Sequence, residues 1–154
     1  MPRSIHGLAE IAGRYDGYIL DLWGVLHDGD KPYPGAVECL GHLKAAGKRV
    51  MALSNAPRRV DVAAKRMAEM GIPLNLLTAV MTSGEDAWQH LKNRDDPWYA
   101  KLGRRCFHLG PERDTGMLEG LDLDVVHDMA DAEFVLNTGA HMDGETLNLY
   151  EPLL

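Results

Sequence analysis

The sequence predicts an α/β fold in which the strands of a parallel, Rossmann-like sheet alternate with helices. Short apolar runs and segments of helical periodicity follow one another along the chain, as is typical of strand–helix–strand units. The spacing of about thirty residues from Asp21 to Ser54 leaves room for a crossover helix between parallel strands. This spacing fits right-handed crossover units in a parallel sheet.

Six short apolar runs are the predicted strands. They lie at 17–22, 49–53, 79–81, 105–109, 124–126 and 133–136. Each is too short for an ordinary helix, and apolar enough for a strand that is buried in a sheet.

Helical periodicity fills the intervals in the first half of the chain. The predicted helices run from Pro34 to Gly47, from Val60 to Gly71 and from Thr82 to about Leu91, with a last helix at 145–154. The first two place apolar residues three or four positions apart and reach a glycine where the periodicity stops. The third opens with capping-box spacing.

A polar segment at 93–97 interrupts the periodicity, which predicts a domain boundary there. The chain is therefore predicted to consist of two domains, 1–94 and 95–154. The chain contains no internal repeat and no long linker.

Composition excludes several classes of protein. The 154 residues are 45% hydrophobic and 25% charged, which suits a globular chain with a real core and excludes disorder, collagen and a disulfide scaffold. A net charge of -7 argues against a nucleic-acid partner. No apolar run approaches the roughly 20 residues of a membrane span. Cys39 and Cys106 lack CxxC spacing, so we expect reduced thiols in a cytoplasmic protein.

Two polar segments follow predicted strands directly. Asp21 follows the first strand and Ser54-Asn55 follows the second. An open parallel sheet binds its ligands beyond these carboxyl ends. A carboxylate there can serve as nucleophile and metal ligand, and a serine with nearby backbone N–H groups can hold a phosphate. Alternatively, Asp21 is a turn residue and Ser54 caps the following helix.

Four motifs in order resemble the haloacid dehalogenase-like hydrolases. They are Asp21-Leu22-Trp23-Gly24-Val25-Leu26, Pro34-Gly35-Ala36, Gly47-Lys48-Arg49-Val50 and Leu53-Ser54-Asn55. The NagD-like group of sugar and nitrophenyl phosphatases is the most similar, and Thr82-Ser83-Gly84-Glu85 resembles its strand end. From Arg105 onward the sequence resembles the first part of an inserted α/β cap. The fold class implied is an incomplete haloacid dehalogenase-type core with part of that cap.

The resemblance implies a Mg²⁺-dependent phosphate monoester hydrolase acting on a small, sugar-type organic phosphate. Asp21 matches the nucleophile that forms an aspartyl-phosphate and also binds Mg²⁺. Trp23 matches the position whose backbone carbonyl contacts the metal. Ser54, with Asn55 beside it, matches the phosphate-binding hydroxyl.

The sequence departs from the family pattern in two respects. Trp23 replaces an acid/base aspartate, and an indole cannot carry the proton. His27 and Asp28 are candidate proton carriers, with a surface histidine and a turn aspartate as the alternatives. The family's lysine motif and its Gly-Asp metal motif are both missing, so the chain resembles the N-terminal portion of such an enzyme.

These departures keep other interpretations open. The chain can be a non-catalytic relic, or an interaction or phosphate-binding module of the same fold. A homo-oligomer that covers an open sheet edge is a further expectation. Arg58-Arg59 either steers a phosphate or forms a solvated first helical turn.

Overall fold

The computed structural model describes residues 4–140 together with Thr146, Asn148 and Glu151. The chain forms two compact units. The first comprises Met1–Asn55 and Val60–Thr82, and the second comprises Ala56–Arg59 and Ser83–Leu154. The division between residues 94 and 95 stays a prediction.

The first unit is a three-stranded parallel sheet with two crossover helices. Its elements are β1 (Gly17–Leu20), α1 (Ala36–Ala45), β2 (Arg49–Ser54), α2 (Val60–Glu69) and β3 (Ala79–Thr82). The strand order is β1-β2-β3, so β2 is central. Leu20 pairs with Ala52, and Ser54 pairs with Thr82.

The core of this unit lies between the helices and one face of the sheet. Val50 and Ala52 of β2 are buried there against Leu40 and Leu43 of α1 and Met67 of α2. These side chains make the apolar faces that the periodicity predicts. Burial of each large one contributes about 1.5–3 kcal/mol, which exceeds what helix propensity alone supplies.

Glycines with positive φ fix both ends of α1. Gly35 precedes the helix with a φ of 81°, and Gly47 follows it with a φ of 69°. The Gly47 N–H donates to the carbonyl oxygen of Lys44, which satisfies one of the carbonyls at the end of the helix.

The second unit is a smaller parallel sheet preceded by a helix. Its elements are α3 (Ser83–Asn93), β4 (Arg105–Leu109), β5 (Asp124–Val126) and β6 (Phe134–Asn137), and the strand order is β5-β4-β6. In the described part of the chain, short 3₁₀ helices lie between these elements and before β1, at Leu8–Glu10, Ala12–Arg14, Leu74–Leu76, Tyr99–Lys101, Glu112–Leu118 and Met129–Asp131.

The predicted parallel α/β fold and all six strands are confirmed, with small differences at the strand ends. The clearest difference is at β1, which ends at Leu20 instead of residue 22. The chain leaves the sheet at Asp21, and Leu22 turns into the core, where it is buried. The helix predicted at 145–154 falls outside the described residues apart from three isolated positions. No helix among the described residues is long and apolar enough to cross a membrane.

Candidate active site

Asp21 is the first residue beyond β1, at the carboxyl end of the first sheet. Its side chain is exposed, and its Oδ1 accepts a hydrogen bond of 2.7 Å from the N–H of Leu22. The next residues turn sharply: the amides of Leu26 and His27 both donate to the carbonyl oxygen of Leu22. Leu22 and Leu26 anchor this turn in the core, so the carboxylate stands on a firmly held segment.

Gly24 allows this turn to form. Its φ of 80° is a left-handed conformation that is strained for any residue with a Cβ atom. Its N–H donates to the carbonyl oxygen of His27 over 2.8 Å. The neighbouring Trp23 is 71% exposed, and its indole N–H donates to the carbonyl oxygen of Asp28. The indole therefore ties residues 23 and 28 together, and it offers no proton-carrying group.

His27 is buried, with 9% of its surface exposed, and its orientation is fixed. Its Nδ1 accepts a hydrogen bond of 3.0 Å from the N–H of Gly29, so the proton of the neutral ring resides on Nε2. Burial lowers the pKa of His27 from 6.5, and the positive charge of Arg66 lowers this pKa further. The carboxylates of Asp28 and Asp21 act in the opposite direction. His27 is thus neutral at pH 7.

Asp28 is engaged in a turn. Its Oδ1 accepts hydrogen bonds of 2.9 Å from the N–H groups of Asp30 and Lys31. These bonds lower the pKa of the Asp28 carboxyl, because they stabilise its ionised form. The geometry is the Asx turn that the sequence offers as the alternative to proton transfer.

Ser54 is the last residue of β2, and Asn55 is the first beyond it. Ser54 is partly buried and Asn55 is exposed. Because β1 and β2 are adjacent and parallel, Asp21 and Ser54 lie at the same end of the sheet, where the strands reach their carboxyl ends, as predicted. Their roles in binding and catalysis stay predictions.

The residues around Asp21 fit a magnesium ion in chemistry but supply only part of its coordination. Mg²⁺ prefers oxygen ligands in octahedral geometry, usually one or two carboxylates with waters and phosphate oxygens. Asp21 offers a carboxylate and Trp23 a backbone carbonyl. Among the described residues there is no group of three or more histidine, cysteine, aspartate or glutamate side chains that could hold a metal ion.

The segment that follows Asn55 has partners that the sequence did not indicate. Arg58 donates to the carboxylate of Asp114 over 3.1 Å, and Arg59 donates to that of Glu85 over 2.7 Å. Both carboxylates are almost fully buried, with 2% and 7% of their side chains exposed. The sequence predicts either a phosphate-steering role or a solvated helical turn for Arg58-Arg59, and neither includes these ion pairs. The partners lie 56 and 26 residues away along the chain, so no local sequence pattern indicates them.

The lowered pKa of His27 predicts how stability depends on pH. Between the folded pKa and 6.5, the unfolded chain binds more protons at this site, so the free energy of unfolding rises with pH. His27 therefore contributes stability above 6.5 that is lost as the pH falls through the folded value. Urea unfolding across this range is expected to show a smaller loss for His27→Gln than for the wild type. An equal loss in both proteins contradicts the assignment.

Comparison with known proteins identifies the family. The family model for the haloacid dehalogenase-like hydrolases matches residues 18–124, more than half of the chain. A crystal structure of a haloacid dehalogenase-like hydrolase from Brucella suis is 31% identical with a TM-score of 0.82. The match covers 95% of this chain and 53% of that one.

Two further proteins are similar over smaller shares of their length. A glycerol phosphate phosphatase from Mycobacterium tuberculosis, solved with magnesium, is 27% identical with a TM-score of 0.59, over 92% of this chain and 41% of that one. Human chronophin is 40% identical over 65 residues, which are 42% of this chain and 22% of chronophin. The chain thus spans about half or less of these proteins. The match of the family model shows that it belongs to the haloacid dehalogenase-like hydrolases.

Proposed function

We propose that this chain carries the nucleophile and part of the phosphate site of a Mg²⁺-dependent phosphatase for small, sugar-type organic phosphates. Similarity to the glycerol phosphate phosphatase supports the reaction class. Residues 95–154 would then be the first part of the inserted cap.

One observation carries the proposal: Asp21 and Ser54 lie at the carboxyl ends of adjacent parallel strands. At this edge a carboxylate and a hydroxyl can reach one phosphoryl group from two strands. The buried Leu22 and Leu26 hold the turn behind Asp21, which limits how far the carboxylate moves. Positioning of this kind accounts for much of phosphoryl-transfer catalysis.

In the proposed reaction, a carboxylate oxygen of Asp21 attacks phosphorus. A new P–O bond forms while the bond to the leaving oxygen breaks, which yields an aspartyl-phosphate and an alkoxide that takes a proton from water. Water then cleaves the aspartyl-phosphate, releasing phosphate and restoring the Asp21 carboxylate. Ser54 and Asn55 donate hydrogen bonds to the phosphoryl oxygens as negative charge shifts onto them.

Asp21 and the carbonyl of Trp23 are the residues that would hold Mg²⁺, which neutralises phosphoryl charge when bound. Neither candidate proton carrier is an acid at neutral pH. The ring of His27 is neutral there and its Nδ1 already accepts from the N–H of Gly29, and the carboxyl of Asp28 is kept ionised by two backbone N–H groups. The pKa of His27 responds to the charge of Asp21, which is consistent with a place near the nucleophile.

Calorimetric titration with inorganic phosphate tests the binding half of this proposal. A hydrogen bond to a charged group contributes about 1.5–3 kcal/mol, so Ser54→Ala is expected to weaken phosphate binding at least tenfold. Ser4→Ala, at an exposed serine near the start of the described chain, serves as the matched control. Equal affinity in Ser54→Ala and the wild type contradicts a phosphate site at Ser54.

A phosphate-binding module without catalysis is the second candidate function. The observation that favours it is Trp23, whose indole is hydrogen-bonded to Asp28 where the family pattern has an acid/base aspartate. Such a module would bind phosphate through Ser54 but would not hydrolyse a phosphate ester.

A further inference from the structure

The loop that follows the turn of the candidate nucleophile has a defined shape. We call residues 27–31 the flap. The N–H of Asp28 donates to the carbonyl oxygen of Lys31 over 3.1 Å, and the N–H of Gly29 donates to Nδ1 of His27 over 3.0 Å. Both bonds lie within the flap, so they fix its shape and leave its position to contacts with other elements.

Arg66 ties the flap to α2. It lies in the last turn of this helix, 37 positions beyond Gly29, and its Nη2 donates to the carbonyl oxygen of Gly29 over 3.0 Å. Its Nη1 lies 3.8 Å from Oε2 of Glu69, three residues further along the same helix. A planar guanidinium can make both contacts at once, whereas an ammonium is a single point of charge. Arg66 therefore connects its own helix to the flap.

The flap residue that Arg66 holds lies against Trp23. A Cβ built on Gly29 would be 3.2 Å from the indole nitrogen of Trp23. The indole N–H in turn donates to the carbonyl oxygen of Asp28 over 3.1 Å. Arg66 and Trp23 thus hold two consecutive carbonyl groups of the flap. The contacts run from α2 through the flap to a residue two positions after Asp21.

We propose that Arg66 is a positioning residue, which holds the flap against Trp23 and so fixes the mouth of the site beside Asp21. This inference rests on the proposed function, because it concerns the site at Asp21. Arg66 acts through the carbonyl group of Gly29 and takes no part in proton or phosphoryl transfer.

The anchoring of the Asp21 turn decides which kinetic constant should change. Leu22 and Leu26 hold this turn in the core, and each is 4% exposed. Release of the flap leaves that anchor in place, so the carboxylate keeps its position. Loss of Arg66 is therefore expected to raise KM and to spare kcat, the pattern of a binding contribution that is equal in the ground state and the transition state.

Hydrogen exchange of the flap tests the inference without reference to catalysis. In Arg66→Ala, the N–H of Gly29 is expected to exchange about fivefold faster than in the wild type, the effect of one lost hydrogen bond. The N–H of Ala52, a buried residue of β2, should exchange at the wild-type rate. Lys65→Ala removes the neighbouring exposed cation of α2 and is the matched control. Equal exchange at Gly29 in Arg66→Ala and Lys65→Ala overturns the inference.

Hydrolysis of p-nitrophenyl phosphate separates positioning from a merely structural role. We expect KM to rise about fivefold in Arg66→Ala with kcat unchanged. Arg66→Lys should recover part of this loss, because an ammonium can still donate to the carbonyl oxygen of Gly29. An unchanged KM in Arg66→Ala, or the same rise in Lys65→Ala, overturns the positioning role. If the wild type releases no phosphate, the proposed function fails, and the exchange at Gly29 alone decides whether Arg66 holds the flap.

Discussion

Replacing Gly84 with alanine is expected to lower the free energy of unfolding by about 3 kcal/mol, because backbone leaves no room for a methyl group. A Cβ built on Gly84 would lie 2.6 Å from the carbonyl oxygen of Arg58. Backbone atoms cannot swing aside as a flexible side chain can. The Gly84 N–H and the Ser83 hydroxyl also donate to the carbonyl oxygen of Ala56, which fixes the two segments against each other. Urea unfolding monitored by circular dichroism measures the change.

Gly41 supplies the control for this substitution. It lies within α1, and a Cβ there would meet nothing within 4 Å. Alanine is favoured over glycine inside a helix, so Gly41→Ala is expected to raise the free energy of unfolding by about 0.5–1 kcal/mol. If Gly84→Ala is no less stable than the wild type, the close packing of Gly84 against Arg58 is wrong.

Replacing Arg59 with alanine is expected to lower the free energy of unfolding by about 3 kcal/mol, since it strips a buried carboxylate of its charged partner. Arg59 also lies with its guanidinium carbon 3.6 Å from the ring centre of Trp88, a contact that the substitution removes as well. The hydrogen bond that Gln89 donates to Glu85 does not depend on Arg59, so it should remain in the variant and reduce the loss of stability. The double variant Arg59→Ala, Glu85→Gln is expected to be more stable than Arg59→Ala, because it no longer buries an unpaired charge.

Arg104→Ala is the matched control on the surface of the same unit. Arg104 pairs with Asp122 and Asp124, which are largely exposed, and solvent screens such pairs. Its urea midpoint should stay close to that of the wild type. Equal losses in Arg59→Ala and Arg104→Ala contradict the importance of the buried pair.

The sequence alone predicts the strands and helices that depend on a local pattern of residues. The strands β2, β4 and β5 follow from short apolar runs, and α1 follows from its apolar spacing and the glycines that bound it. The end of β1 was misplaced because Leu22 continues the apolar run. Whether a leucine extends a strand or turns into the core depends on packing that the run does not encode.

In the candidate site, too, the sequence predicts the residues with a local signal and misses the contacts between distant residues. Asp21, Ser54 and Asn55 were found because strand ends are visible in the sequence, and parallel pairing brings the two strand ends to one edge. The influence of Arg66 on His27 joins residues 39 positions apart and has no local signal. The partners of Arg58 and Arg59 were missed for the same reason, since two arginines in a row show only that positive charge is present.

Release of phosphate from p-nitrophenyl phosphate in the presence of Mg²⁺ tests the central claim most directly. Asp21→Asn retains the shape of the side chain but removes the nucleophilic carboxylate. Asp16→Asn, at an exposed aspartate that precedes β1 at its other end, is the control. The account predicts that Asp21→Asn falls to the background rate and that Asp16→Asn keeps the wild-type rate. Wild-type phosphate release by Asp21→Asn would contradict it.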